Sequence, residues 1–246
     1  MSSEVASNEI LNVNSLTKRF GGFVALQSVS FHLGENERLG LIGPNGSGKT
    51  TMINCVAGAL QSDAGQVIFR GRNINKLRPH QRAHLGIARS FQIPRPFKTM
   101  SVLENLMIPL EFAAWDRVDR RHLEDEARVI LDLVGFKDRA NDNSASLTQV
   151  DMRKLELARA LAAKPALLVS DEAMAGLSNS EVDEILDILF KLNDRGVAVI
   201  MIEHIMRAVT RYCERIIVLD AGQKIADGTP DEVLNNSAVE RAYLGE

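Results

Sequence analysis

Residues Gly43, Pro44, Asn45, Gly46, Ser47, Gly48, Lys49 and Thr50 run consecutively with the spacing G-x-x-x-x-G-K-[ST]. These residue types in this order can hold phosphate. Glycines let the backbone curl until successive N–H groups point inward at an anion. A helix starting near Lys49 adds the positive end of its dipole. The Lys49 ammonium is expected to reach the β- and γ-phosphates of a nucleotide, and the Thr50 hydroxyl to ligate Mg²⁺. The segment is therefore expected to hold MgATP, although a phosphate loop alone does not separate kinases, GTPases and ATPases.

Asp171-Glu172 follows directly on the apolar run from Ala166 to Ser170. A carboxylate at the C-terminal end of a buried strand can hold Mg²⁺, directly or through water. The adjacent Glu172 can then orient and polarise an attacking water. Another apolar run, Val197 to Ile202, ends at Glu203-His204. Taken alone, His204 reads equally as a surface or satisfied core histidine, Gln92 as a polar strand end, and Phe20 as a core aromatic.

These residues need elements to position them. Arg38 to Ile42 reads as a strand ending at Gly43, and Lys49 to Leu60 as the helix after it. Further strand-like runs are Gln66 to Arg70, Ile87 to Gln92, Ala166 to Ser170, Val197 to Ile202 and Arg215 to Leu219. Short apolar runs alternating with helical patterns predict a parallel sheet covered on both faces. Between Ser101 and about Leu161 the strands stop. Ser101 and Glu104 have capping-box spacing, and Val102, Leu103, Leu106, Met107 and Leu110 recur at helical intervals. A second amphipathic stretch runs from about Arg120 to Val134, so a helical insertion is expected; its charged segment, residues 116–128, reads as a solvated face. Thr229, Pro230 and Glu232 mark the start of a short helix.

Composition limits the setting. The 246 residues are 45% apolar and 25% charged, with acidic residues ahead by three. No bulk positive field draws the chain to nucleic acid or anionic lipid. The first ten residues lack the basic start and apolar run of a signal peptide, and no apolar stretch suggests a membrane span. Cys55 and Cys213 have neither metal-ligand spacing nor a disulfide framework, and core filling is their expected role. A cytosolic setting follows, with any membrane role passing through a partner.

Taken in order, Phe20, the Gly43–Thr50 loop, Gln92, VSDE ending at Glu172 and the Glu203-His204 pair resemble the ATP-binding subunits of ABC transporters across nearly the whole chain. KRFGGFVAL (18–26), RSFQIPRPFKTMSVLENL (89–106), MAGL (174–177), GTPDEV (228–233) and RAYLGE (241–246) are most similar to the branched-chain amino acid importer subgroup. The resemblance implies an α/β fold: a P-loop NTPase (RecA-like) core with an N-terminal antiparallel β subdomain and an inserted α-helical subdomain. One domain would span 11–243, with 11–92 and 164–243 as the nucleotide-binding core and 93–163 as the helical subdomain carrying the signature region. It also implies roles. Phe20 would stack on adenine with Val24 beside it, and the loop from Gly43 through Thr51 would bind nucleotide. Gln92 would contact Mg²⁺ and the attacking water. Asp171 would hold the metal, Glu172 would be the catalytic base, and His204 would touch the γ-phosphate. The helical subdomain would contact a cytoplasmic coupling helix of a transmembrane permease, with a solute-binding protein acting indirectly and no nucleic acid involved.

One departure stands out. Relatives carry a Leu-Ser-Gly-Gly-Gln-like signature that caps the γ-phosphate held by the opposite subunit; here the aligned residues are Leu147, Thr148, Gln149, Val150 and Asp151. Thr148 keeps a hydroxyl. Val150 puts a branched side chain where backbone should approach phosphate, and Asp151 is expected to add a repelling negative charge. Ser178 stands where many relatives have the aspartate or asparagine of the subunit-interface loop, and Ala173 replaces a common proline. The expected function is the ATP-hydrolysing subunit of an importer of a small solute such as an amino acid. It would sit peripherally on the cytoplasmic face of the plasma membrane and pair with a second ATPase subunit in a heterodimer. The alternative is a regulatory subunit that dimerises on ATP with little hydrolysis of its own.

Overall fold

The computed structural model describes residues 9–90, 94–114, 116 and 118–244. Its larger sheet is built from β3 (Arg38–Ile42), β6 (Ile87–Ser90), β7 (Leu167–Asp171), β8 (Ala198–Ile202), β9 (Arg215–Asp220) and β10 (Gln223–Gly228). The strand order is β10-β9-β3-β8-β7-β6, parallel except for the antiparallel edge strand β10. Every residue of β7 and β8 is buried, as expected of strands covered on both faces. Register brings their ends level: Ile202 pairs with both Leu41 and Asp171. The chain segments leaving β3, β7 and β8 therefore emerge side by side, and these are the segments carrying Gly43, Glu172 and His204.

A second sheet is antiparallel, with order β2-β1-β4-β5. Its strands are β1 (Glu9–Phe20), β2 (Phe23–Gly34), β4 (Ala64–Phe69) and β5 (Arg72–Asn73). The run expected from Gln66 to Arg70 belongs here, not to the parallel sheet. It pairs with β1 and turns straight back through Arg70 and Gly71, both at positive φ, as a tight two-residue hairpin requires. Without a helical crossover it has no route to a parallel neighbour.

Between β6 and β7 the described residues form α3 (Val102–Phe112), α4 (Leu123–Leu133) and α5 (Gln149–Ala162) and no extended strand. The Ser101–Glu104 capping box starts α3, and a 3₁₀ turn, Arg120–His122, leads into α4. Ser178 caps α6 (Asn179–Asn193) reciprocally with Glu181, and Thr229 caps α8 (Pro230–Leu234) with Glu232. The remaining helices are α1 (Lys49–Ala57), α2 (Pro79–Leu85), α7 (Met206–Tyr212) and α9 (Ser237–Leu244).

Alternation along the central strands feeds two cores. Leu167 and Val169 face the antiparallel sheet and α1, while Leu168 packs with the residues of α3, α4 and α5. Cys55 and Cys213 are buried, one in each core, and burial pushes both thiols up. At the far end of α1, the buried Arg82 donates to the carbonyls of Cys55 and Val56 at 2.6 and 2.7 Å. A guanidinium there satisfies the last open carbonyls of the helix whose start is the phosphate loop.

Candidate functional site

The loop after β3 owes its shape to contacts that exclude side chains. A Cβ on Gly43, whose φ is 145°, would lie 2.0 Å from the Leu219 carbonyl oxygen. On Gly48, at φ 106°, it would lie 2.7 Å from that of Ala25. Gly48 is also the N-cap of α1 and supplies no capping side chain, which leaves the first N–H groups of the helix for a ligand. Lys49 folds back over the loop, donating to the carbonyls of Gly43 (2.7 Å) and Pro44 (2.9 Å) and to Ser47 Oγ (3.4 Å). Burial pulls the Lys49 ammonium below its usual range, and the nearby charges of Glu172 and Asp171 act against that shift.

A cavity of about 280 Å³ opens over the loop, lined by Asn45 through Thr51 together with Phe20, Phe23, Ala25, Glu172 and His204. Phe20 and Phe23 pair across the Gly21-Gly22 hairpin and are 47% and 63% exposed, an open aromatic flank beside a phosphate cradle. The Lys18 ammonium lies 5.5 Å from the Phe20 ring centroid. Val24 is not among the lining residues. It sits between Phe23 and Ala25, which do line the cavity, on a stretch of β2 where the pairing with β1 shifts register. Phe23 and Ala25 were missed in sequence; the signal was their period-two spacing just past the hairpin glycines.

At the end of β7, Glu172 adopts φ 47°, a left-handed conformation that costs a non-glycine residue about 1 kcal/mol or more. Its N–H donates to the Ile202 carbonyl at 2.9 Å, tying the strained turn to β8. Its side chain meets His204, with Nε2 3.2 Å from Oε1. Asp171 is buried and held by Arg89, whose Nη2 lies 2.5 Å from Oδ2. Gln92 lies outside the described residues.

Beneath His204, Glu203 is 2% exposed and accepts the Met174 N–H at 2.9 Å. Burial pushes its carboxyl up to about 7, despite the bonds from the backbone of Met174 and His204 that favour the anion. Nothing in the sequence distinguished this glutamate from a solvated strand end.

The Thr148–Asp151 segment lies elsewhere: none of its residues lines the loop cavity. Thr148 caps α5, its Oγ1 accepting the Asp151 N–H at 3.2 Å. Asp151 does not present its charge outward as expected. It is 8% exposed and accepts from Arg139 Nη1 at 2.9 Å. Burial raises its carboxyl, but the bonds from Arg139 and Thr148 outweigh this and hold it below the usual range. Val150 is half-buried against the helical core.

Residues 26–175 match the family model described as ABC transporter, and residues 223–246 match that of the branched-chain amino acid ATP-binding cassette transporter. The chain is 38% identical to the high-affinity branched-chain amino acid transport ATP-binding protein LivG of Salmonella typhimurium, covering 98% of this chain and 99% of that protein. It is 36% identical to its counterpart BraF of Pseudomonas aeruginosa, with 98% and 99% covered. Among solved structures, the ADP conformation of MJ1267, an ATP-binding cassette of an ABC transporter, superposes with a TM-score of 0.87 at 33% identity, over 97% of this chain and 99% of that one.

Proposed function

This chain belongs to the ABC transporter family as an ATP-binding, ATP-hydrolysing subunit, and from that premise we propose that it powers uptake of a small solute, a branched-chain or related amino acid, through a transmembrane permease. The observation that carries the reading is the single cavity in which the phosphate loop, Glu172 and His204 meet. The amino acid class is supported by the C-terminal match and by the names of the relatives. No observation favours the non-hydrolysing regulatory alternative.

In this reading the adenine lies against Phe20, with Phe23 beside it, and the phosphates enter the loop. Lys49 then exchanges carbonyl partners for phosphate oxygens, regaining in charge-assisted bonds what burial cost it. The oxygen donors of Thr50 and Asp171, with Gln92, fit a hard divalent cation that takes its other ligands from phosphate and water. Bound Mg²⁺ would supply neutralisation of phosphate charge. Glu172 orients the attacking water and draws its proton, and His204 holds Glu172 in place while facing the γ-phosphate. Attack is in line, and positioning and electrostatics do most of the work.

A second ATPase subunit closes the site, its signature segment covering the γ-phosphate, and Thr148 to Asp151 of this chain does the same for the partner's nucleotide. We place the permease contact at the cleft where residues of the helical insertion (Pro109, Glu156, Arg159) face Ala57 and Ala83 of the core. Among the described residues no helix is long and apolar enough to cross a membrane, so attachment through the permease, peripherally on the cytoplasmic face, accounts for membrane work. The test is reconstitution with the cognate permease and solute-binding protein in vesicles. ATP-driven uptake of labelled leucine or another amino acid is expected with the native chain and not with Lys49→Ala. Intact hydrolysis without uptake of any amino acid would overturn the substrate class.

A further inference from the structure

Arg89 is used by none of the chemistry above, yet it touches the carboxylate on which the metal assignment depends. It lies on β6 one register position from Ser90, which pairs with Ser170, the residue before Asp171. Its Nη2 donates to Asp171 Oδ2 at 2.5 Å and its Nη1 to Asn54 Oδ1 at 2.6 Å. The ion pair is largely sheltered, with side-chain exposures of 17% and 9%. Asn54 is on α1 one helical turn beyond Thr50, so the two share a face of that helix. One guanidinium therefore braces the end of β7 against the helix that carries Thr50, another proposed metal ligand. The brace needs a fork: two N–H groups on separate nitrogens reach two acceptors on different elements, which an ammonium at the end of a flexible stem does not reproduce.

The same contact puts a permanent positive charge beside an oxygen that a divalent cation would use. In a sheltered site, salt and water screen that repulsion little. We propose that Arg89 is a positioning residue with two opposed effects: it fixes Asp171 relative to Thr50 for catalysis, and it weakens the hold of the site on Mg²⁺. The inference rests on Asp171 being a metal ligand, which Asp171→Asn tests separately.

The experiment titrates Mg²⁺ into the full chain with a fluorescent ATP analogue and reads nucleotide binding, beside turnover and thermal unfolding. Arg89→Met and Arg89→Gln, which both remove the charge, should lower half-saturating Mg²⁺ by about threefold to tenfold. Turnover should fall in both. Arg89→Lys should keep the native Mg²⁺ requirement while losing turnover, because charge persists and the fork does not. A folded Met or Gln variant with an unchanged or raised Mg²⁺ requirement would overturn the proposal, as would a lysine variant that shifts as far as they do. If Asp171→Asn leaves Mg²⁺ dependence of binding intact, the metal assignment itself fails. If it abolishes that dependence while the folded charge-removing variants do nothing, only the role of Arg89 fails.

Discussion

His204 Nε2 stands 3.2 Å from Glu172 Oε1, so the group assigned to activate water is held by a residue two positions past the end of the neighbouring strand β8. The backbone adds a second tie, from the Glu172 N–H to the Ile202 carbonyl at 2.9 Å. A carboxylate on a strained turn needs such restraint to keep one orientation. Glu172→Gln keeps the shape and the tie but cannot take a proton. Turnover of the assembled complex should fall by about 10²- to 10⁴-fold with ATP binding retained. His204→Ala should cost a comparable factor, and the double variant little more, because the two residues act as a unit. Additive losses measured in steady-state ATPase assays would separate their roles.

Lys49 makes bonds in this structure that a nucleotide must replace, at 2.7 and 2.9 Å to two loop carbonyls. Lys49→Ala removes the only lysine or arginine lining the cavity among the described residues. Equilibrium binding of a fluorescent ATP analogue should weaken by about tenfold or more, and hydrolysis should stop. Native binding together with native turnover would contradict the phosphate assignment.

Glu203 predicts a pH signature. Its folded carboxyl titrates at about 7, against an ordinary value of 4.5. Between those values the Glu203 carboxyl of the folded chain holds a proton that it has released in the unfolded chain, so its contribution to stability falls as pH rises through that window. Glu203→Gln keeps an oxygen for the Met174 N–H and removes the titration. Thermal unfolding measured from about pH 5 to about pH 8 should show the variant gaining on the native chain as pH rises. Parallel curves would mean that the carboxyl titrates in its ordinary range.

What could be read in the sequence was local. The phosphate loop, the strands that end in Asp171 and at Glu203, and the capping boxes at Ser101 and Thr229 are each set within a few residues, and each is where it was expected. The partners of those residues were not legible, because long separations bring them together. Arg89 and Asp171 are 82 positions apart, and nothing in either neighbourhood announces the other. The N-terminal strands escaped a residue-level reading for a different reason. Register shifts interrupt the pairing of β1 with β2, so the buried positions of β1 do not keep a simple alternation. Asp151 shows the cost of reading a motif by alignment alone. Its place in the signature suggested a charge facing phosphate, whereas Arg139 turns it inward.

That inward turn narrows the signature's departure to Val150. With Asp151 paired to Arg139 at 2.9 Å, its charge is already balanced, and the branched side chain at the second position of α5 remains the obstacle to close backbone approach. Val150→Gly should therefore raise ATP turnover of the purified chain assayed alone, where both composite sites carry this segment. It should cost about 1 kcal/mol or less of stability, since the change falls in the first turn of a helix. Asp151→Gln should do the opposite: lose the Arg139 pair, lower the unfolding midpoint by about a few degrees, and leave turnover no higher. If native chain alone already turns over as fast as it does with a cognate second ATPase subunit, and Val150→Gly changes nothing, the valine is tolerated and the expected heterodimer is wrong. If turnover rises only on adding a partner subunit with an intact glycine signature, the site closed by that partner is the one that hydrolyses.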